Sequence, residues 1–140
     1  MPTDFRDAAE RHFEDAEYLE VDERLANTDH LYGLAAECAL KAVMRGLGMN
    51  LRPDGAPDQS QHRVHIDGLW GEFVTFSQNR GGIKYTSSIA STNNPFSDWE
   101  VGLRYNHRND ITSEMLTRHK NGAKLTKQVL DTAILDGVVI

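Results

Sequence analysis

HLYGLAAECALKAVMRGLG, residues 30–48, decides the fold. Leu31, Tyr32, Leu34, Ala35, Ala36, Cys38, Ala39, Leu40, Ala42, Val43 and Met44 cover most of the circumference of a helix with 3.6 residues per turn. A helix apolar nearly all round is one enclosed by others. Its polar residues fall on a single stripe, His30, Glu37, Lys41 and Arg45, spaced by seven, four and four. Asn27, Thr28 and Asp29 offer N-caps for its start. Gly46 and Gly48 suit its stop.

Working outward, residues 4–22 read as an amphipathic helix, with Phe5, Ala9, Phe13, Ala16 and Leu19 at helical spacing and acids in the early turns. Beyond the central helix, residues 49–64 form a polar loop with two prolines. A third helix is expected over 65–79, with Ile66, Leu69, Trp70 and Phe73 on one face. Residues 80–96, RGGIKYTSSIASTNNPF, are rich in Gly, Ser, Thr and Asn and read as a long loop, with a short hairpin as a weaker alternative. Ser97-Asp98-Trp99-Glu100 reads as a capping box that starts a fourth helix, with Phe96 stapled onto Val101 and with Trp99 and Leu103 pointing inward. A fifth helix is expected from Thr112 to about Gly137. The architecture is then an all-α antiparallel up-and-down bundle of about five helices, with residues 1–140 as one domain.

Composition bounds the function classes. The chain is 39% hydrophobic and 26% charged, ordinary for a soluble domain. No apolar run approaches the ~20 residues a membrane helix needs. The acidic N-terminus has no apolar core of the signal-peptide kind. One cysteine, Cys38, cannot make an internal disulfide, excludes a CxxC metal site, and reads as a small core residue. These features suggest a reducing, cytoplasmic setting.

The net charge of −6 is uneven. Residues 1–25 carry nine acids against three arginines, and residues 99–128 carry six bases against three acids. An acidic helix packed near a basic one explains this. A local basic face that holds a phosphate is the other reading. The overall acidity argues against strong non-specific nucleic-acid binding.

The densest polar stretch is WEVGLRYNHRND, residues 99–110. On a helix, Arg104, His107 and Arg108 share a face, with Asn109 and Asp110 near its end. Two guanidiniums beside an imidazole suit an anion. The cations hold a phosphate, and the neutral imidazole can take a proton from a ribose 2′-hydroxyl without a metal. Tyr105 or Tyr85 is available to stack on a base. The structural alternative pairs Arg104 with Glu37, because Glu37 sits among apolar neighbours and a buried carboxylate needs a cation. Lys41, four residues on, is the second candidate partner.

Elsewhere the signals are weak. His30 reads as a first-turn histidine, and His62 and His65 flank Arg63 without the three or four ligands a zinc site needs. No glycine-rich phosphate loop is present. Neither a metal nor a cofactor is expected.

HLYGLAAECALKAVM, followed after a loop and a helix by DWEVGLRYN, resembles the HEPN superfamily of small helical domains. The resemblance covers most of the chain in helix order, but its specific part is confined to those two stretches. It implies a homodimeric bundle, often a metal-independent ribonuclease of toxin–antitoxin or defence systems, paired with an antitoxin or a small nucleotidyltransferase. Other members bind nucleotides or nucleic acid without catalysis. The family's catalytic pattern is an arginine followed by four to six residues and a histidine. Here Arg104 precedes His107 by only two intervening residues, so Arg104 carries over and His107 stands as a substitute. Arg24 and His30 fit the count but lie between the first two helices.

Two functions follow. In one, Arg104, His107, Arg108, Tyr105, Asn109 and Asp110 bind RNA or a nucleotide, with cleavage as an extension, and Glu37 and Lys41 support them structurally. In the other, the chain is an interaction module that docks a partner through the acidic first helix or the 80–96 segment.

Overall fold

The computed structural model describes residues 2–140. It is an all-α bundle of five helices: α1 (Phe5–Val21), α2 (Leu25–Gly46), α3 (Ile66–Gln78), α4 (Ile83–Ala90) and α5 (Ser113–Leu135). Single 3₁₀ turns occur at Ser60–His62, Val101–Tyr105 and Arg108–Asp110. No helix among the described residues is long and apolar enough to cross a membrane.

The apolar circumference of α2 puts it at the centre, with α1, α3 and α5 packed on it. Tyr32, Ala36, Leu40, Val43 and Met44 are buried there. The run of alanines keeps this surface low, so neighbouring helices approach closely. The tight Asp22–Arg24 turn folds α1 back along α2, with Glu23 in the left-handed region at φ 59°. Asp4 caps α1 through the backbone N–H of Asp7, and Thr112 caps α5 through that of Met115. Gly137, at φ 77°, lies just beyond the end of α5.

The acidic and basic helices do meet. Lys120 of α5 pairs with Glu20 of α1 at 2.9 Å, and Tyr32 donates to the same carboxylate. Local pairing therefore absorbs part of the charge asymmetry.

Four expectations need correction. First, α2 starts at Leu25, so Asn27, Thr28 and Asp29 lie inside it rather than capping it. Asp29 is needed for a tertiary bond described below. Second, residues 83–90 form α4 and not a loop or hairpin. Tyr85 and Ile89 are buried, and the Tyr85 hydroxyl donates to Asp136 just past the end of α5 at 2.6 Å. Burial on an amphipathic face outweighs the weak helix propensity of this Ser- and Thr-rich segment. Tyr85 is therefore not free to stack on a ligand. Third, no capping box forms at Ser97, and residues 97–110 contain two 3₁₀ turns in place of a fourth long helix. Fourth, Cys38 is only half-buried, though it packs against the core.

Candidate functional site

Trp99 organises the site. Its indole is buried and lies against Gly33 of α2, where a Cβ would overlap the ring. His30, one turn earlier on α2, stacks on the same indole, with ring centroids 5.1 Å apart and planes 21° apart. His65, at the N-cap of α3, meets it edge-on at 6.3 Å. Burial and then the nearby Arg104 guanidinium push the pKa of His30 down. Its ring is thus neutral at neutral pH. His30 Nδ1 and Trp99 Nε1 are both buried without a hydrogen-bond partner among the described residues. Unanswered polar atoms are costly and uncommon, and here two lie on stacked rings.

The residues just before His30 and Trp99 are clamped together. His119 of α5 is fully buried and donates from Nδ1 to Asp29 at 2.6 Å and from Nε2 to Asp98 at 2.8 Å. Because both acceptors are carboxylates, both ring nitrogens carry protons and the ring is an imidazolium. Burial opposes that charge, but the bonds and charges of Asp29 and Asp98 outweigh it and raise the pKa of His119. Asp98 also accepts from Arg118 at 2.7 Å. Burial pushes its carboxyl upward, and the bonds to Arg118 and His119 reverse this, leaving it below the ordinary carboxylate range. Asp98 thus serves a tertiary clamp and cannot cap a helix. The chain enters the 3₁₀ segment from this anchored point.

The α2 stripe makes a second cluster. Glu37 accepts from Lys41 Nζ at 3.0 Å through one oxygen and from His65 Nδ1 at 3.0 Å through the other. Glu37 and Lys41 are nearly enclosed, whereas 49% of the His65 side chain is exposed. Lys41 and His65 line an open cleft of about 380 Å³ that also involves Phe5, Pro57 and Arg63. Arg63 is already committed, donating to the carbonyls of Pro57 and Asp58. The pairing of Glu37 with Arg104 does not form, because both carboxylate oxygens are taken by groups on or beside α2. Lys41 is the partner that a helical turn brings to Glu37 without further chain movement.

The sequence-predicted residues are displaced from one another. Arg104, Tyr105, His107, Arg108, Asn109 and Asp110 are all exposed, spread over two 3₁₀ turns broken by the extended residues Asn106 and His107. Arg104, His107 and Arg108 therefore do not share a helical face. His107 Nδ1 accepts from the backbone N–H of Asn109 at 3.1 Å, so it caps its own turn. Arg104 leans on the Tyr105 ring at 4.9 Å. Among the described residues, neither Arg104 nor Arg108 has a carboxylate partner.

Two histidines escaped the sequence reading. His65 had a faint signal: a buried Glu37 with two oxygens calls for more than Lys41 alone. His119 had none, since Asp29, Asp98 and His119 are remote in sequence. His62 instead turns inward, edge-on to Phe76 at 5.2 Å. No group of three or more metal-ligating side chains occurs among the described residues. Comparison with family models, curated proteins and solved structures gives no match.

Proposed function

We propose that the chain binds single-stranded RNA through the 3₁₀ segment that begins at Val101. One observation carries the reading. In a protein of net charge −6, Arg104 and Arg108 are exposed on one short segment with neither a carboxylate nor a carbonyl partner among the described residues, whereas the other arginines pair with carboxylates, donate to carbonyls or, for Arg80, lie over Phe76. Leaving two cations unpaired suits a phosphate backbone. Tyr105, 79% exposed between them, offers a face for a base. Helical folds of many functions share this architecture, so the reading rests on the site and not on the bundle. The HEPN resemblance supports it and adds a homodimer to the proposal.

The test is anisotropy of a labelled RNA oligomer over a salt series. Binding is expected to weaken with salt. Arg104→Ala and Arg108→Ala should each weaken it severalfold and lower the salt slope by about one. Affinity independent of both arginines would remove the reading.

A second reading has its own observation. Tyr18, Val21 and Leu25 are exposed at the α1–α2 corner, beside the acids of α1. This suits a protein-interaction module docked to an antitoxin or nucleotidyltransferase-type partner. Loss of partner capture in Val21→Asp, with RNA binding intact, would favour it.

A further inference from the structure

We infer that the cleft beside α2 binds a small organic carboxylate, with the unspent edge of the Arg63 guanidinium holding the carboxylate and Phe5, Pro57 and Val64 enclosing its apolar body. The inference stands apart from the RNA-binding reading and does not need it.

Arg63 is a cation whose plane is already set. Its Nη1 donates to the carbonyl of Pro57 at 3.0 Å and to that of Asp58 at 2.8 Å. Those two bonds use both Nη1 hydrogens. Nε and Nη2 have no partner among the described residues, and the side chain lines the cleft. Nε and Nη2 present two parallel N–H groups, the arrangement that a carboxylate fills with both its oxygens. Holding a guanidinium by one nitrogen lowers the entropy lost when the opposite edge takes a ligand.

The charges around the cleft select a monoanion. Lys41 is balanced by Glu37 at 3.0 Å. Asp54 lies close enough to Arg63 to feel its charge, but both Asp54 oxygens already accept from Arg52, and one accepts from the backbone N–H of Ala56 as well. With histidine counted as neutral, Arg63 is then the one unmatched charge of the lining. Lys41 still has two N–H donors beyond the one given to Glu37, and it is nearly enclosed, so it adds hydrogen bonds without adding net charge. A phosphate dianion would exceed this balance.

The walls select an apolar body. Phe5, Ala56, Pro57 and Val64 offer carbon surface and no side-chain partner for a hydroxyl-rich ligand. The volume of about 380 Å³ is at the small end of ligand pockets, which run from roughly 300 to 1,000 Å³. The wall from the 51–58 segment is fastened rather than loose. Arg52 donates its backbone N–H to Ala56 at 2.7 Å, and Asp58 donates to Asn50 at 2.9 Å. Gly55, at φ 86°, sits where a Cβ would overlap the Thr3 hydroxyl, so this turn closes directly onto the segment that leads into α1. Three separate parts of the chain thus meet around one opening.

The experiment titrates the full chain, labelled with ¹⁵N, with sodium benzoate, and follows the Arg63 Nε–H and the backbone amides of residues 54–65. Benzamide serves as the neutral isostere and inorganic phosphate as the competing anion. Benzoate is expected to shift these resonances saturably, with Kd on the order of 1 mM for so small a probe. Benzamide should bind at least ~10-fold more weakly, because it leaves the Arg63 edge without an anion. Phosphate should give no saturable shift at the same resonances. Arg63→Lys keeps the charge and loses the edge, and should weaken benzoate binding severalfold. The benzamide comparison uses the wild type alone, so it holds whatever a variant does to the 51–58 turn. Equal binding of benzamide and benzoate overturns the inference, as does phosphate binding tighter than benzoate. Shifts gathered elsewhere on the molecule overturn it too, as does the absence of a saturable shift at ~10-fold above the expected Kd. Unchanged benzoate affinity in a folded Arg63→Lys removes Arg63 from the site.

Discussion

His119 and His65 are both held by a carboxylate from α2, at 2.6 and 3.0 Å, yet their environments set them apart. His119 is sealed, and each of its ring nitrogens is spent on an aspartate. It is a charged rivet between α2, α5 and the segment that carries Trp99. His65 has one nitrogen spent and half its surface open to a cleft. The same pair of functional groups gives structure in one place and leaves a polar atom open in the other. What separates them is whether the fold consumes the second nitrogen.

The comparison can be broken at several points. The largest effect is expected from His119→Ala, which leaves Asp29 buried without its partner and should cost about 4 kcal/mol in chemical denaturation. A cost below about 1 kcal/mol would mean that the rivet is ornamental. Glu37→Gln should cost about 3 kcal/mol, because Lys41 then keeps a buried charge with no anion beside it. Gly33→Ala should cost about 2 kcal/mol by pushing the Trp99 indole from its seat, visible as a shift in tryptophan fluorescence.

The pH dependence sharpens the contrast. The pKa of His119 is raised in the folded state, so its stabilisation is complete below the unfolded value of about 6.5 and is lost as pH rises through the folded value. Asp98 acts at the other end, since its stabilisation is lost as pH falls through its lowered value. His12, His30 and His62 have lowered pKa values, chiefly through burial, and the stability they contribute is lost as pH falls below about 6.5. The stability of wild type minus that of His119→Ala isolates the first effect and should decline on the alkaline side. The smallest effect is expected for Arg104→Ala and Arg108→Ala, which should change stability by less than about 0.5 kcal/mol while weakening RNA binding. A larger loss of stability would move the arginines from the ligand to the fold.

Legibility in the sequence followed the range of the interaction. The bounds of α1, α3 and α5 were readable because caps and apolar periods act within a few residues. The α2 stripe was readable for the same reason and offered Lys41 as a partner for Glu37, but the favoured pairing of Glu37 with Arg104 does not form. The 97–110 region was misread because its local signals favoured a helix, while Asp98 and Trp99 are claimed by residues far along the chain. Asp98 answers His119 and Arg118, and Trp99 fills the space over Gly33 beside His30. The 83–90 segment erred in the other direction, since its composition favoured a loop and burial of Tyr85 and Ile89 made it a helix.

The sequence alone determined an all-α bundle around an enclosed central helix, because apolar periodicity forces those faces inward whatever their partners. It also placed the dense polar stretch at 99–110. Only the tertiary structure decided which carboxylate meets which histidine, that Arg104 faces outward from Glu37, and that His65 stands over a cleft. Those outcomes depend on contacts between residues 21 to 90 positions apart, and no local pattern encodes which distant group will neutralise a buried charge.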